Sequence, residues 1–244
     1  MELIKIAVMF IVAIAVIKII FSLVFKIGFK IIMAVVIFGG ILIFAGNYMG
    51  YGRILAENVM SSISVAVNKV DMPSWLTYYN QEDEKWGDEL YGTSDYIKDA
   101  GCGPTVLAMA VSSLTDFEVT PLDMASWSYE NGYYCEGSGS YHTLIGDALS
   151  FYGLDYTVSS SKDDVINALK NNNIVIALMG EGHFTKSGHF IILCDIDDDN
   201  TVLVADPKHE ENMEKRWDID LIDSETKVSP TVGGCYWIIN KEHK

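Results

Sequence analysis

One cysteine of the chain has the local sequence of a nucleophile. Cys102 lies between Gly101 and Gly103 in the stretch AGCGPTVLAMA, and Pro104 follows before an apolar run begins. This stretch predicts a helix from about Gly103 to Leu114, which places the thiol at the helix N-terminus. The unpaired N–H groups and the dipole of a helix N-terminus stabilise a thiolate and lower its pKa. Glycine neighbours would let a substrate backbone approach the sulfur, and proline suits a first helical turn.

A cysteine nucleophile needs a base, and the base needs a group that orients it. Of the five histidines in the chain, His189 opens the apolar run HFIILCD, which predicts a strand. Strands hold catalytic geometry better than loops do. His183 lies in a similar Gly-His-Phe sequence, but in a predicted loop where we find no partner for it. His189 is therefore the predicted base.

A predicted hairpin supplies the orienting group. The runs 189–195 and 201–206 flank a short acidic turn, and if Asp195 pairs with Asn200, His189 lies opposite Asp206. Directly opposed residues have Cβ atoms about 4.5–5.5 Å apart. A slip of one residue would send the two side chains to opposite faces of the sheet. The alternatives are a small buried Cys102, an ordinary strand histidine, and an Asp-Pro pair that merely ends a strand.

Gln81 is the candidate for binding an oxyanion. It lies upstream of the cysteine in YYNQEDEKWGDELYG. Its side-chain amide could donate a hydrogen bond beside the backbone N–H of Cys102. The alternative is a solvated glutamine in a loop.

These segments together resemble the bacteriocin-processing (double-glycine) peptidase-like family of papain-like cysteine peptidases. The resemblance covers residues 76 to about 207 and rests on QEDEKWGDELYG, AGCGPTVLAMAVSSL, VTPLDMASW and SGHFIILCDIDDDNTVLVADP. It implies that Cys102 is the nucleophile, His189 the base, Asp206 the orienting residue and Gln81 the oxyanion donor. It also implies a papain-like fold, in which a central helix led by the cysteine packs on an antiparallel sheet that bears the histidine.

The sequence departs from the best-known members, which are fused to an ABC transporter and cut leader peptides. No ATP-binding loop occurs in the sequence, and the glutamine of those members lies closer to the cysteine than Gln81 does here. Members that share the pattern formed by Gln81, Asp83 and Trp86 are the closer relatives. Leader-peptide cleavage therefore does not follow from the resemblance.

The order of elements predicts an α+β fold with an antiparallel sheet rather than a doubly wound one. Helical patterns come first, at about 103–114, from Thr120 to before Gly132, at about 141–152, and after the cap at Ser161. Short β-branched or aromatic runs follow at 174–179, 189–195, 201–206 and 235–239.

The N-terminal residues predict a membrane anchor. Segments 6–25 and 31–49 are almost wholly apolar, and a bilayer needs about 20 such residues. Lys26 and Lys30 lie between the segments, so the positive-inside rule puts that stretch in the cytoplasm and the following chain outside. We therefore predict an anchor of one or two spans at 1–50, a stalk at 51–75 and a papain-like peptidase domain at 76–244. A cleaved signal peptide is disfavoured because no Ala-x-Ala site is evident.

The charge distribution argues against nucleic acid as a partner. The chain carries −16, and residues 1–50 carry +3 from four lysines and one glutamate, which leaves −19 for the remainder. Such a charge repels phosphates and could favour basic substrates.

No cofactor or metal is predicted. The four cysteines are scattered, and the run Asp195, Asp197, Asp199 lacks the glycine and glutamate of a calcium loop. In an extracellular domain a pair among Cys135, Cys194 and Cys235 could form a disulfide.

The sequence thus predicts a membrane-anchored, extracytoplasmic cysteine peptidase that hydrolyses peptide bonds through a Cys-His-Asp triad and an acyl-enzyme. Its partners would be a peptide or protein substrate and the membrane. One alternative is a cell-wall peptidoglycan peptide hydrolase or amidase of the same fold. A non-enzymatic alternative is a catalytically idle binding or secretion-accessory module.

Overall fold

The computed structural model describes residues 40–41 and 70–240. Apart from residues 40–41, the predicted anchor at 1–50 lies outside these residues, as does most of the predicted stalk at 51–75, so both stay predictions. Within the described part of the chain, no helix has both the length and the apolar character needed to cross a bilayer.

From residue 70 onward the helices come mainly before the strands of the large sheet, as predicted. In chain order the elements are β1 (Leu90–Tyr91), β2 (Asp95–Tyr96), α1 (Ile97–Ala100), α2 (Cys102–Leu114), α3 (Pro121–Glu130), β3 (Tyr134–Cys135), β4 (Gly139–Ser140), α4 (Thr143–Phe151), β5 (Tyr156–Ser159), α5 (Lys162–Lys170), β6 (Ile174–Met179), β7 (His189–Ile196), β8 (Thr201–Ala205), a 3-10 turn (Glu210–Met213), β9 (Arg216–Asp218), α6 (Ile219–Ser224) and β10 (Tyr236–Ile239).

The large sheet has six antiparallel strands in the order β5-β10-β6-β7-β8-β9. Side chains of β6 alternate between two apolar clusters: Ile176 lies in the cluster that contains α2, and Ala177 in the cluster that contains α5 and α6. Helices therefore cover both faces of the sheet. A strand covered on both faces reads as a continuous apolar run, as IVIALM does. The α+β fold with a large antiparallel sheet is confirmed.

Two helices begin where their caps predict. Thr120 and Asp123 form a capping box at the start of α3, with Pro121 in the first turn. The Ser161 side chain accepts a hydrogen bond from the backbone N–H of Asp164 at the start of α5. These polar caps explain why the boundaries of both helices could be read from the sequence.

Several short elements were not predicted, among them β5, β9 and α6. Strands β5 and β9 have four and three residues, and α6 has six. Segments this short show little periodicity, so sheet pairing and packing decide their conformation. The C-terminal strand β10 pairs with both β5 and β6, which no local pattern indicates.

The predicted register of the β7–β8 hairpin is wrong. The observed pairs are Ile196 with Val202, Asp195 with Leu203, Leu193 with Val204 and Ile192 with Ala205. The register shifts between Leu193 and Asp195, so Cys194 is the extra residue of a β-bulge. Asp197 shapes the turn by accepting hydrogen bonds from the backbone N–H groups of Asp199 and Thr201. The turn lies one residue further along the chain than predicted, and Asp195 pairs with Leu203 instead of Asn200.

Candidate active site

Cys102 is the first residue of α2, as its sequence predicts. The preceding residue, Gly101, offers no side chain to cap the helix. Its carbonyl instead accepts hydrogen bonds from the backbone N–H and the hydroxyl of Thr105, which close the first turn. The Cys102 side chain remains partly exposed at this terminus, where the dipole favours negative charge.

The two glycines beside Cys102 are required by packing, so the prediction that they keep the sulfur accessible is wrong. A Cβ on Gly101 would lie 2.4 Å from the carbonyl oxygen of Ile97, and one on Gly103 would lie 2.9 Å from Ser140 Oγ. Both glycines are buried. They allow α1 and the β3–β4 hairpin to pack directly against the start of α2.

A buried hydroxyl network fixes the β3–β4 hairpin beside the nucleophile. The Tyr91 hydroxyl lies 2.6 Å from both Ser128 Oγ and Ser140 Oγ. Ser140 ends β4 and contacts the helix start. The network therefore ties α3 and the hairpin to the N-terminus of α2, and it positions one wall of the cleft.

The side chains of Cys102 and His189 line the same two cavities, and each shifts the pKa of the other. His189 Nε2 is engaged by Asp206, so Nδ1 is the ring nitrogen left for the sulfur. Burial alone would raise the pKa of the Cys102 thiol, but the hydrogen bond and charge of His189 outweigh it, and that pKa is lowered. The backbone N–H groups of Phe190 and Gly103 also stabilise the thiolate.

His189 and Asp206 form the second half of the constellation. His189 Nε2 lies 2.7 Å from Asp206 Oδ1, and both side chains are buried. Burial disfavours the imidazolium, but the hydrogen bonds to Asp206 and Cys102 outweigh it and raise the pKa of His189 to about 9. The three side chains therefore favour a thiolate–imidazolium pair backed by a carboxylate.

Asp206 is held by further donors that the sequence did not indicate. Its Oδ1 accepts hydrogen bonds from the backbone N–H groups of Lys208 and His209, and its Oδ2 accepts one from Asn212 Nδ2 at 2.8 Å. Burial alone would raise the pKa of this carboxyl, but His189 and these donors lower it. The backbone carbonyl of Asn212 accepts a hydrogen bond from Trp217 Nε1, which anchors the backbone of the residue that supplies this donor. Asp206 is thus a fixed, ionised acceptor.

Gln81 lies beside the other predicted residues. Its backbone N–H donates to the Pro207 carbonyl, and its Nε2 donates to the Lys98 carbonyl at 2.7 Å. It is buried, and it lines a cavity of about 460 Å³ together with Cys102 and His189, which we call the glutamine cavity. One N–H of the amide remains available for a ligand in that cavity. The structure therefore brings all four predicted residues to one place.

A second cavity of about 400 Å³ opens on Cys102 and His189 and is lined by the β3–β4 hairpin at Cys135, Gly137 and Ser138. We call it the hairpin cavity. Together with the glutamine cavity it gives a cleft around the thiol and imidazole.

The remaining cysteines are not nucleophile candidates. In the structure Cys135, Cys194 and Cys235 are free thiols, without the disulfide considered from the sequence. Burial raises the pKa of Cys194 to about 12, and burial also raises the pKa of Cys235. The pKa of the Cys102 thiol, in contrast, is lowered.

His183 has a partner, contrary to the sequence interpretation. Its Nδ1 contacts Glu225 Oε1, and its backbone N–H donates to Glu225 Oε2 at 2.7 Å. It lies in the loop before β7, as predicted, and it lines the glutamine cavity. The carboxylate of Glu225 thus holds His183 in the wall of the cavity.

The acidic β7–β8 turn is occupied by its own side chains. Asp197 binds the turn backbone, and Arg216 forms ion pairs with Asp195 and Asp197. Across residues 40–41 and 70–240, no group of three or more His, Cys, Asp or Glu is arranged to hold a metal ion.

Comparison with protein families identifies a peptidase family over the part of the chain that contains these residues. The model of the Peptidase_C39 like family matches residues 75–233. No match was found among curated proteins.

Similar solved structures include three peptidases. The peptidase domain of Streptococcus ComA, a bi-functional ABC transporter, is 13% identical, with a TM-score of 0.41, and the match covers 62% of this chain and 96% of that domain. A C39-like peptidase from Bacillus anthracis is 14% identical, with a TM-score of 0.45 and coverage of 60% and 91%. A double glycine motif protease from an AMS/PCAT transporter, in complex with the leader peptide, is 16% identical, with a TM-score of 0.38 and coverage of 68% and 92%.

The family match spans the segment that contains Cys102, His189 and Asp206 and amounts to more than half of the chain. On this evidence the chain belongs to the Peptidase_C39 like family.

Proposed function

We propose that this protein is a cysteine peptidase that hydrolyses peptide bonds through Cys102, His189 and Asp206. The observation that carries the proposal is the arrangement of the Cys102 thiol, whose pKa is lowered, in one cleft with the His189 imidazole, which is hydrogen-bonded to the buried Asp206 carboxylate. Membership of a peptidase family supports the same reaction class. A cysteine nucleophile requires two features, an oriented imidazole beside it and a lowered pKa of its thiol.

In the first half of the reaction the Cys102 thiolate attacks the substrate carbonyl carbon and forms a carbon–sulfur bond. The electron pair of the carbonyl moves onto its oxygen, which gives a tetrahedral oxyanion. Collapse of this intermediate breaks the carbon–nitrogen bond, and the imidazolium of His189 gives its proton to the departing amine. An acyl-enzyme thioester and a free amine product result.

In the second half, neutral His189 accepts a proton from water as the water oxygen attacks the thioester. The tetrahedral intermediate then expels the Cys102 thiolate, and the carboxylic acid product leaves. Asp206 holds the imidazole by Nε2 throughout, so Nδ1 keeps facing the sulfur and the imidazolium is stabilised.

We propose Gln81 as the side-chain donor to the oxyanion, together with the backbone N–H of Cys102. In support, one N–H of the Gln81 amide donates a hydrogen bond to the Lys98 carbonyl. This bond fixes the direction of the second N–H of the same amide. Preorganised donors of this kind contribute about 3–4 kcal/mol to transition-state stabilisation. The unpaired buried Oε1 of Gln81 is consistent with a side chain kept in place for function rather than for stability.

We propose that the domain is attached to a membrane and lies on its extracytoplasmic side. The apolar residues 1–50 and the lysines between their two segments support this arrangement. Protease treatment of intact cells tests it: digestion of residues 76–244 is expected without lysis. Protection of that region until lysis would place the domain in the cytoplasm.

Cleavage of a peptide library by the full-length protein tests the proposed activity. The expected result is new peptide termini with the wild type and none with Cys102→Ala. Parallel digestion of purified peptidoglycan tests the cell-wall alternative, which predicts release of wall peptides instead. If Cys102→Ala retained full biological activity in cells, the idle-module alternative would replace both.

A further inference from the structure

The hairpin cavity is basic although the protein is strongly acidic. The chain carries −16, but none of the described residues that line this cavity is an aspartate or glutamate. Lys227 lines it, and so does His142. A cleft with one sign of charge attracts ligands of the opposite sign. The overall charge, which suggested basic substrates, is therefore a poor guide to this part of the cleft.

Lys227 holds an ammonium group in this cavity without a carboxylate partner. Its Nζ donates to the Ser187 carbonyl at 2.9 Å, and no ion pair of Lys227 is found within the described residues. Its backbone N–H donates to the Leu178 carbonyl, and its own carbonyl accepts from Cys235 Sγ. An ammonium has three N–H donors. Lys227 is therefore fixed in place with two donors left for a ligand.

His142 supplies a second donor in the same cavity. Its Nδ1 accepts a hydrogen bond from the backbone N–H of Thr231 at 3.3 Å, so the proton of a neutral ring resides on Nε2. Burial and the nearby charge of Lys227 lower the pKa of His142, which keeps this ring neutral. The ring also packs edge-to-face with Phe190, the residue after His189. A fixed N–H donor thus lines the same cavity as the ammonium.

We propose that Lys227 and His142 form a subsite for a carboxylate of the substrate. The subsite deepens the proposed function, on which it rests, by naming the substrate class: peptides that carry a carboxylate close to the scissile bond. An ammonium with a neighbouring N–H donor binds a carboxylate through charge-assisted hydrogen bonds. The carboxylate could belong to an aspartate or glutamate side chain or to the C-terminus of the peptide.

The subsite lies near the reacting atoms. The Ser187 carbonyl that holds Lys227 Nζ is two residues before His189, which corresponds to about 7 Å of chain at most. A Cβ on Gly188 would lie 3.5 Å from the same Nζ. The bound carboxylate therefore belongs to a residue next to the scissile bond or one position further away.

Two measurements on the full-length protein test the subsite. The first is kcat/KM of the wild type on peptide pairs that differ only by glutamate or glutamine at one position, and on pairs with a free or amidated C-terminus. The second is Kd of Cys102→Ala for the same pairs, which needs no cleavage. The expected result is a preference of about tenfold or more for the acid at one position. Side-chain and C-terminal pairs distinguish the two sources of the carboxylate.

Variants of Lys227 assign the preference to the subsite. Lys227→Met is expected to bring the acid-to-amide ratio to about one, Lys227→Glu to invert it, and Lys227→Arg to keep most of it. Lys170→Glu is the matched control, because this exposed residue at the end of α5 changes the net charge equally but lies outside the cavity. If Lys227 only supported the loop at Ser187, its substitution would change the values for the acid and the amide peptides equally. The acid-to-amide ratio therefore reports recognition of the carboxylate alone.

The outcomes separate the subsite from the proposed function. Cleavage without any acid preference, or a preference that survives Lys227→Met, overturns the subsite and leaves the peptidase standing. A third outcome is that Cys102→Ala binds the acid peptides selectively and this selectivity depends on Lys227, but the wild type cleaves none of them. This outcome supports the subsite and overturns the peptidase. Neither cleavage nor selective binding overturns both.

Discussion

His189 and Asp206 are hydrogen-bonded, with 2.7 Å between Nε2 and Oδ1, although they are not cross-strand partners. Continuing the register from the pair Ile192–Ala205 places Ile191 opposite Asp206. The two positions are thus offset by two residues. Side chains alternate along a strand, so an offset of two keeps both on one face of the sheet.

The bulge at Cys194 sets this offset. On the turn side of the bulge Asp195 pairs with Leu203, and that register continued without a bulge would place Ile192 opposite Asp206. His189 would then be three residues from the paired position, and its side chain would point to the opposite face. The extra residue restores the common face, so an element that the sequence did not indicate makes the predicted contact geometrically available.

Peptidase activity should follow a bell-shaped pH profile. On the acid side kcat/KM is expected to fall as the Cys102 thiolate takes up a proton, below the ordinary range of a thiol because its pKa is lowered. On the basic side it is expected to fall near pH 9 as the imidazolium of His189 loses the proton needed by the leaving amine. Initial rates from pH 4 to 11 check both limbs. Activity that rises monotonically beyond pH 10 would contradict the role of the imidazolium.

Asp206→Asn is expected to lower kcat on the order of 10²-fold or more, because the amide no longer stabilises the imidazolium of His189. The pKa of His189 should fall as well, which NMR titration of the ring measures. Asn212→Ala removes one donor to Asp206 and leaves its charge, so a smaller loss is expected. An Asp206→Asn protein with an unchanged His189 titration would show that the carboxylate does not act through the ring.

Gln81→Ala is expected to lower kcat by about 10²-fold with little change in KM, because an oxyanion donor acts mainly in the transition state. Alkylation of Cys102 by iodoacetamide forms no oxyanion, so its rate should stay the same in this variant. Steady-state kinetics and alkylation rates on one preparation make the comparison. Equal losses in both assays would indicate that Gln81 only supports the structure around Cys102.

Gly101→Ala is expected to destabilise the fold by about 1–3 kcal/mol through overpacking. Its Cβ would lie 2.4 Å from a backbone carbonyl oxygen of α1, which cannot turn away. Gly103→Ala should be milder, because its Cβ meets the side chain of Ser140, which can rotate at the expense of its bond to Tyr91. Urea unfolding of both variants gives the two free energies. A Gly101→Ala protein as stable as the wild type would rule out this packing requirement.

Much of the fold and of the candidate site was available from the sequence because it depends on local signals. Pro104 and the apolar run after it indicated the start of α2, polar caps indicated α3 and α5, and an apolar run indicated β6. These signals also pointed to Cys102 and His189. They act within a few residues, so one chain segment is enough to read them.

The rest depends on contacts between distant segments. The β-bulge at Cys194, the support of Asp206 by Asn212, and the placement of Lys227 and His142 in one cavity arise only when separate elements meet. Lys227 lies near the start of the loop between α6 and β10, without any motif, so no local pattern distinguishes it from a solvated lysine. The reason for Gly101 and Gly103 was likewise misread, because their close neighbours Ile97 and Ser140 are brought in by packing.

The central claim is that His189 keeps Cys102 as a thiolate, and the rate of Cys102 alkylation at pH 6 tests it most directly. Full-length protein is treated with iodoacetamide, and mass spectrometry follows each cysteine over time in the wild type and in His189→Ala. We predict that Cys102 is modified faster than a free thiol and faster than Cys135, Cys194 and Cys235, and that His189→Ala removes this advantage. Modification of Cys102 no faster than a free thiol, and unchanged in His189→Ala, would contradict the account.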